Sequence, residues 1–327
     1  MSLRVFKGID ARSGLPKSHT VVTIGTFDGV HIGHQKVLAE VMKQSAASGL
    51  EPVLVTFDPH PRALTSPDNV PPLLATFDEK IALISKFFDG DILVLEFNRD
   101  LMNMSADDFS RNILSQTLAA KALIVGSDHA FGKNRSGHPK ELNDYGKQLG
   151  FSVSIIEPAI LEGKAISSTR IRQAILGGDL QSATAMLGHG YPIRGAVERG
   201  LGLGRKLGYP TANLHIEAIK LLPPQGVYSC CADLDGRKFR GMMFIGDNYL
   251  NPERRITVEA NIFDFDEDIY DRTLVVYPGF HVRANRRFPS TEELVAQISE
   301  DKRTIMNRMI EEKQYGSDQR AKSSNYC

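Results

Sequence analysis

Val21-Val22-Thr23-Ile24-Gly25-Thr26-Phe27-Asp28-Gly29-Val30-His31-Ile32-Gly33-His34 passes from an apolar run through a glycine-bounded turn into a helical pattern. Val21, Val22 and Ile24 predict a short buried strand and Gly25 to Gly29 a turn. The spacing of Val37, Leu38 and Val41 after His31 predicts an amphipathic helix. Such a strand-turn-helix unit aims the free N–H groups at the helix start, and the positive end of its dipole, at an incoming anion. His31 and His34 are three residues apart and share one helical face. Gly33 between them has no side chain to hold a phosphate or a base off the backbone, and Gly25 and Phe27 belong to the same turn. These residue types predict chemistry on a nucleotide.

Outward from this stretch, to about residue 180, further short apolar runs alternate with helical patterns: Pro52–Phe57, Asp91–Phe97, Ala122–Gly126 and Phe151–Glu157. The alternation predicts an α/β domain with a parallel, Rossmann-like sheet. Ligands of such sheets sit beyond the carboxyl ends of the strands, which gathers His31, the Phe57-Asp58-Pro59-His60-Pro61 loop and Gly126-Ser127-Asp128 at one cleft. His60, between two prolines, reads equally as a turn residue or a phosphate contact. Asp128, at a strand end in a glycine-rich loop, reads as an acceptor-site residue. Ile166-Ser167-Ser168-Thr169-Arg170-Ile171-Arg172 places hydroxyls and two arginines at another helix start. Ser167 or Ser168 can cap that helix, but a cap needs no arginine beside it, and arginine forks match phosphate oxygens.

After the helical pattern near Ser182–Leu187, the chain turns to strand-length segments rich in β-formers, starting at Tyr191. Val227–Leu234 and Lys238–Ile245 flank Asp235-Gly236, a two-residue hairpin signal, and Ile256–Phe265 and Thr273–Val282 add strands. A small closed antiparallel barrel removes the exposed edges of such strands. Ser290 with Glu293 predicts a capped final helix, with Leu294, Ile298, Ile305 and Met309 as its buried stripe. The expected domains are residues 1–185 and 186–315, with a disordered polar tail over 316–327.

Within the second domain, Gly204-Arg205-Lys206-Leu207-Gly208-Tyr209-Pro210-Thr211-Ala212-Asn213-Leu214 is a phosphate-loop pattern without a Walker lysine. Gly204, Lys206, Gly208 and Pro210 shape and charge the loop. Thr211 and Asn213, two apart, face the same way in extended chain, as neutral oxygens for Mg²⁺ and nucleotide phosphates. Alternation in Thr257-Val258-Glu259-Ala260-Asn261-Ile262 sends Glu259 and Asn261 to the face opposite Val258, Ala260 and Ile262. Periodicity leaves open whether Glu259 is a general base at the barrel mouth or a solvated carboxylate on an outer face.

Lys plus Arg and Asp plus Glu both number 39 in 327 residues, so the formal net charge is zero and no overall basic field favours a polynucleotide partner. The opening residues lack an apolar core of signal-peptide length and no later run is long enough to span a bilayer, which makes the cytoplasm the expected compartment and a membrane partner unexpected. Cys230, Cys231 and Cys327 have no metal-ligand spacing. Oligomeric state is open, and a homo-oligomer is compatible with the sequence.

The pair His-x-Gly-His and Ser-Ser-Thr-x-x-Arg resembles the nucleotidyltransferase superfamily, which attacks the α-phosphorus of a nucleotide triphosphate and releases pyrophosphate. In that resemblance His31 and His34 donate to the transferring phosphoryl oxygens, and Arg172 holds the departing phosphates. The second-domain strings, with Gly226-Val227-Tyr228, Val258-Glu259 and the Phe288 to Asp301 segment, resemble the riboflavin kinase family. From about Val21 to Met309 the chain resembles the prokaryotic bifunctional riboflavin kinase/FMN adenylyltransferase (FAD synthetase) family. The resemblance implies Glu259 as the base for the ribityl hydroxyl and Thr211 and Asn213 as Mg²⁺ and ATP contacts. It also implies riboflavin, FMN and ATP as substrates, with FAD as final product.

Some positions depart from the family pattern. Asp128-His129-Ala130-Phe131-Gly132 stands for Asp-Phe-Arg-Phe-Gly, Asp247 to Leu250 replace a segment with a Pro-Thr pair, Tyr270-Asp271 stands for Tyr-Gly, and Asn285 for glutamate. All touch expected flavin loops. Two other readings follow from them: an FMN adenylyltransferase with a weakened kinase module, and a flavin or nucleotide sensor without turnover. Intact His31, His34, Arg172 and Glu259 argue against the sensor, because a binder needs no transition-state groups.

Overall fold

The computed structural model describes residues 3–8, 19–127, 132, 139–200, 202–247 and 256–315. Asp128, the departures at His129, Ala130 and Asn248 to Leu250, and the tail 316–327 lie outside the described residues. The chain packs as two compact units. The first ends at Ser168, except that Leu74–Thr76 belong with Thr169 onward to the second.

The first unit is built on six parallel strands, β1 (Arg4–Lys7), β2 (Thr20–Ile24), β3 (Glu51–Asp58), β4 (Asp91–Glu96), β5 (Ala120–Gly126) and β6 (Ser152–Ile156). Their order is β1-β4-β3-β2-β5-β6. Every residue of β2 is buried, as expected of a central strand covered on both faces. One face buries Val22, Val55, Leu93 and Val125 against Phe109 and Leu114 of the segment that follows β4. β3 and β4 extend the sheet to one side of β2 and β5 resumes on the other. The reversal opens a crevice beyond the carboxyl ends of β2 and β5, where the His31 loop emerges. A small hairpin, β7 (Ile160–Leu161) with β8 (Lys164–Ala165), precedes the Ser167-Ser168 segment.

In the second unit, strands β9 (Ile193–Glu198), β10 (Ala212–His215), β11 (Gly226–Leu234), β12 (Arg237–Asp247), β13 (Ile256–Ile262) and β14 (Thr273–Ala284) form a closed barrel. Its pairings are antiparallel throughout. Asp235 and Gly236 take φ values of 52° and 84°, the two left-handed residues of a type I′ hairpin turn, so the β11–β12 register follows from two adjacent residues. The final helix, Thr291–Tyr315, begins with Ser290 Oγ accepting from the Glu293 N–H at 3.2 Å. Ile305, fully buried, packs with Val227, Met242 and Phe263 of the barrel, and Ile298 and Met309 flank it. Arg283 of β14 donates from Nε to both Asp301 carboxylate oxygens, at 3.0 and 2.9 Å, which fixes the helix to the barrel.

Candidate active sites

The loop after β2 begins where Gly25 N–H bonds the Val55 carbonyl at 3.0 Å. A Cβ on Gly25 would lie 3.1 Å from the Phe27 ring, so the glycine makes room for that buried side chain. Phe27 and Val30 have φ values of 49° and 41°, a left-handed conformation that costs most for a β-branched residue such as Val30. Both are buried, and this packing holds the loop in place.

The strained loop delivers His31 as the N-cap of the helix Ile32–Ser48. Its Nδ1 accepts from the His34 N–H at 3.4 Å, a long bond. By that assignment the proton of a neutral His31 ring sits on Nε2. The two imidazoles stack with centroids 3.7 Å apart and 15° between planes, and the Phe27 ring lies 5.2 Å from that of His34. A Cβ on Gly33 would stand 3.0 Å from His31 Cε1 and 3.1 Å from its Nδ1. A side chain at Gly33 would therefore press on the His31 ring of the stack, which would have to give by a few tenths of an ångström. His34 Nδ1 is buried with no hydrogen-bond partner among the described residues. Burial, and then the neighbouring His31, push the His34 pKa well below the usual 6.5, so the ring is neutral at neutral pH.

Ser168 Oγ donates to the Asp28 carbonyl at 3.1 Å, joining the Ser167-Ser168 segment to the His31 loop. Thr169 and Arg172 follow on the helix Ser168–Leu176, whose Ile171 and Ile175 are fully buried, and belong to the second unit. His60 uses Nδ1 to accept from the Arg62 N–H at 3.1 Å, an interaction that closes a turn. Sequence reasoning missed Lys80, which lies in the helix Phe77–Ile84, is buried, and reaches Thr56 and Phe57 at the end of β3.

On the barrel, Asn213 of β10 and Phe244 of β12 both stand opposite Glu259 of β13. Glu259 is half-buried. Thr211 Oγ1 donates to its Oε2 at 3.2 Å, while the Thr257 hydroxyl is shared between its Oε1 at 3.5 Å and the nearer Gly246 carbonyl at 3.2 Å. Burial raises its pKa, and the two hydroxyls only partly oppose that. Asn261, next on the same strand face, is buried and donates to the Pro210 carbonyl at 2.7 Å, tying the glycine-rich string to β13. A Cβ on Gly204 would meet the Tyr209 carbonyl at 2.4 Å, and one on Gly200 would meet Asn213 Nδ2 at 2.4 Å. Two glycines thus let this string close around Thr211 and Asn213. Gly208 turns the string at a φ of 82°, and Lys206 is exposed.

Thr211 and Asn213 beside one carboxylate make a small, hard oxygen set, which fits Mg²⁺ because that ion keeps waters and substrate phosphates as its remaining ligands. Among the described residues no group of three or more His, Cys, Asp or Glu side chains is placed to hold a metal.

A nucleotide-type parallel sheet with a histidine pair at a helix start, followed by a six-stranded barrel with a hydroxyl-bonded carboxylate, defines a transferase of two modules. The FAD synthetase family model matches residues 15–170 and the riboflavin kinase model residues 187–309. The bifunctional riboflavin kinase/FMN adenylyltransferase of Buchnera aphidicola subsp. Acyrthosiphon pisum (strain APS) is 33% identical over 302 residues, covering 91% of this chain and 96% of that protein. The Escherichia coli (strain K12) protein of the same name is 32% identical over 303 residues, covering 92% and 96%. The chain belongs to the bifunctional riboflavin kinase/FMN adenylyltransferase family. A solved structure named as a macrolide-efflux protein from Streptococcus pneumoniae shares the architecture at a TM-score of 0.81 and 30% identity, covering 94% of this chain and 99% of that one. Among the described residues no helix is long and apolar enough to cross a membrane.

Proposed function

We propose that this protein makes FAD from riboflavin in two ATP-dependent steps, each on its own module. In the first, Glu259 takes the proton of the ribityl hydroxyl, the oxygen attacks the γ-phosphorus of ATP, and FMN and ADP result. Burial of Glu259 raises its proton affinity, which suits a general base. Thr211 holds the carboxylate in place. Thr211 and Asn213 hold Mg²⁺, which when bound offsets the charge of the ATP phosphates. In the second step an FMN phosphate oxygen attacks the α-phosphorus of another ATP and pyrophosphate leaves. His31 and His34 donate to the oxygens on which charge builds, while Arg172, with Ser167, Ser168 and Thr169, receives the departing phosphates. Action in the cytoplasm, where ATP is available, belongs to the same proposal.

The observation that carries this reading is the presence of both constellations in one chain: the stacked histidines at the start of Ile32–Ser48, and Glu259 bonded by Thr211 opposite Asn213. A weakened kinase is the second reading, favoured by the departures at Asp247, Asp271 and Asn285. Asp271, however, adopts a φ of 62°, the conformation a glycine would take there and one that aspartate tolerates, so this departure preserves the backbone of its loop. The test is incubation with ATP, Mg²⁺ and either riboflavin or FMN, with chromatographic separation of the flavins. FMN and FAD from riboflavin, and FAD from FMN, support the proposal; conversion of neither flavin overturns it.

A further inference from the structure

Lys80 is 8% exposed, although lysine is among the residues least often buried without a charged partner. Its ammonium is held by neutral acceptors, Thr56 Oγ1 at 3.2 Å and the Phe57 carbonyl at 3.1 Å. The Thr56 hydroxyl donates in turn to the Thr26 carbonyl at 3.4 Å, in the loop that leads to His31. A hydrogen-bonded chain therefore runs from Lys80 through the end of β3 to the loop after β2. Two carboxylates act on the ammonium, Asp58 at the end of β3 and Asp28 in the His31 loop, and Asp28 is buried. The Phe77 ring lies against Lys80 on one side and receives Lys7 of β1, with ammonium-to-centroid distances of 5.7 and 4.6 Å. Burial outweighs both carboxylates and lowers the Lys80 pKa to about 8.

A buried charge held mainly by neutral oxygens costs stability that an apolar side chain of similar volume would not. Its position gives a reason to keep it. ATP and FMN are both anions, and Asp28 and Asp58 alone would repel them from the crevice.

We infer that Lys80 is a positioning residue for adenylyl transfer, joining the loops after β2 and β3 and supplying the positive charge that offsets Asp28 and Asp58 when the anionic substrates enter. This rests on the function proposed for the first module. Its charged neighbours are Asp28, Asp58 and Lys7, and the pH consequence is read from Lys80, whose pKa burial lowers to about 8.

The experiment measures FMN adenylylation and riboflavin phosphorylation by full-length protein, as kcat/KM across pH, for wild type, Lys80→Met and Lys80→Arg. Lys80→Met is expected to lose about 10–100-fold in adenylylation, the scale of a misplaced site, while phosphorylation stays within about twofold. Wild-type adenylylation is expected to fall with an apparent pKa near the free enzyme's value of about 8. In Lys80→Arg that alkaline limb should move to higher pH, because arginine stays protonated. Phosphorylation, using the same ATP over the same range, controls for titration of the nucleotide. If Lys80→Met does not fold, the arginine profile decides alone. An alkaline limb identical in wild type and Lys80→Arg overturns the inference, as does undiminished adenylylation by Lys80→Met. Wild-type protein that makes no FAD from FMN would instead overturn the functional reading beneath it.

Discussion

His34 is packed against His31 and Phe27, and because burial keeps its ring neutral, the proposed mechanism has it offer a phosphoryl oxygen one N–H rather than a charge. A neutral donor fixed in place is worth most where charge develops during transfer, so His34→Ala should lower kcat for FMN adenylylation by roughly 10²–10³-fold. Riboflavin phosphorylation by the same preparation is the internal control. An unchanged adenylylation rate would remove His34 from the mechanism. Glu259 presents the opposite electrostatic case. Its folded pKa is raised by burial, so the associated stability is complete below the unfolded carboxylate range and is lost as pH rises through the folded value. Above that value the ionised side chain destabilises the protein. Glu259→Gln should therefore reduce FMN formation by about 10²–10⁴-fold while raising the thermal midpoint at mildly alkaline pH. Retained kinase activity would reject the base assignment.

At the scale of elements, the turn before Ile32–Ser48 and the histidine stack form one unit, because Gly33 touches the His31 ring. Gly33→Ala places a Cβ 3.0 Å from that ring, so the His31 ring must shift by a few tenths of an ångström within the stack. Adenylylation is expected to fall about tenfold or more, equivalent to roughly 1.4 kcal/mol, with the helix content by circular dichroism unchanged. The final helix is held differently. Asp301 has a side chain 2% exposed and pairs with Arg283, so Asp301→Ala leaves a mostly buried arginine without its partner. A loss of about 3 kcal/mol in urea unfolding follows.

These elements also mark what the sequence made legible. β2 and its glycine turn were readable because Val21, Val22 and Ile24 make an apolar run in a central strand covered on both faces, and the β11–β12 hairpin because Asp-Gly supplies two left-handed residues in succession. β1 was not, since three of its four residues are exposed and carry no apolar period; bonds from Arg4 to Asp91, at 2.8 and 2.7 Å, hold it at the sheet edge. Alternation separated the faces of β13 but did not show which one is covered, and that is decided by Thr211, in the loop just before β10. Lys80 was invisible for a related reason: a lysine on a short amphipathic helix reads as solvated until the end of β3 is seen beneath it.

At the scale of the molecule, two sites that share no described catalytic residue imply that the activities can be separated without cutting the chain. His34→Ala should convert riboflavin to FMN and stop, whereas Glu259→Gln should make FAD from supplied FMN but not from riboflavin. The zero formal net charge gives the protein no overall field with which to retain an anion such as FMN near its surface. FMN is therefore expected to leave the kinase module into solution before adenylylation. A mixture of the two variants with riboflavin and ATP should then form FAD after a lag, during which free FMN accumulates. The lag should shorten as the proportion of Glu259→Gln protein is raised, because that variant supplies the active adenylylation site. If the mixture forms no FAD although each variant performs its remaining half-reaction, FMN must pass between sites of one chain without release, and independent action of the modules is ruled out.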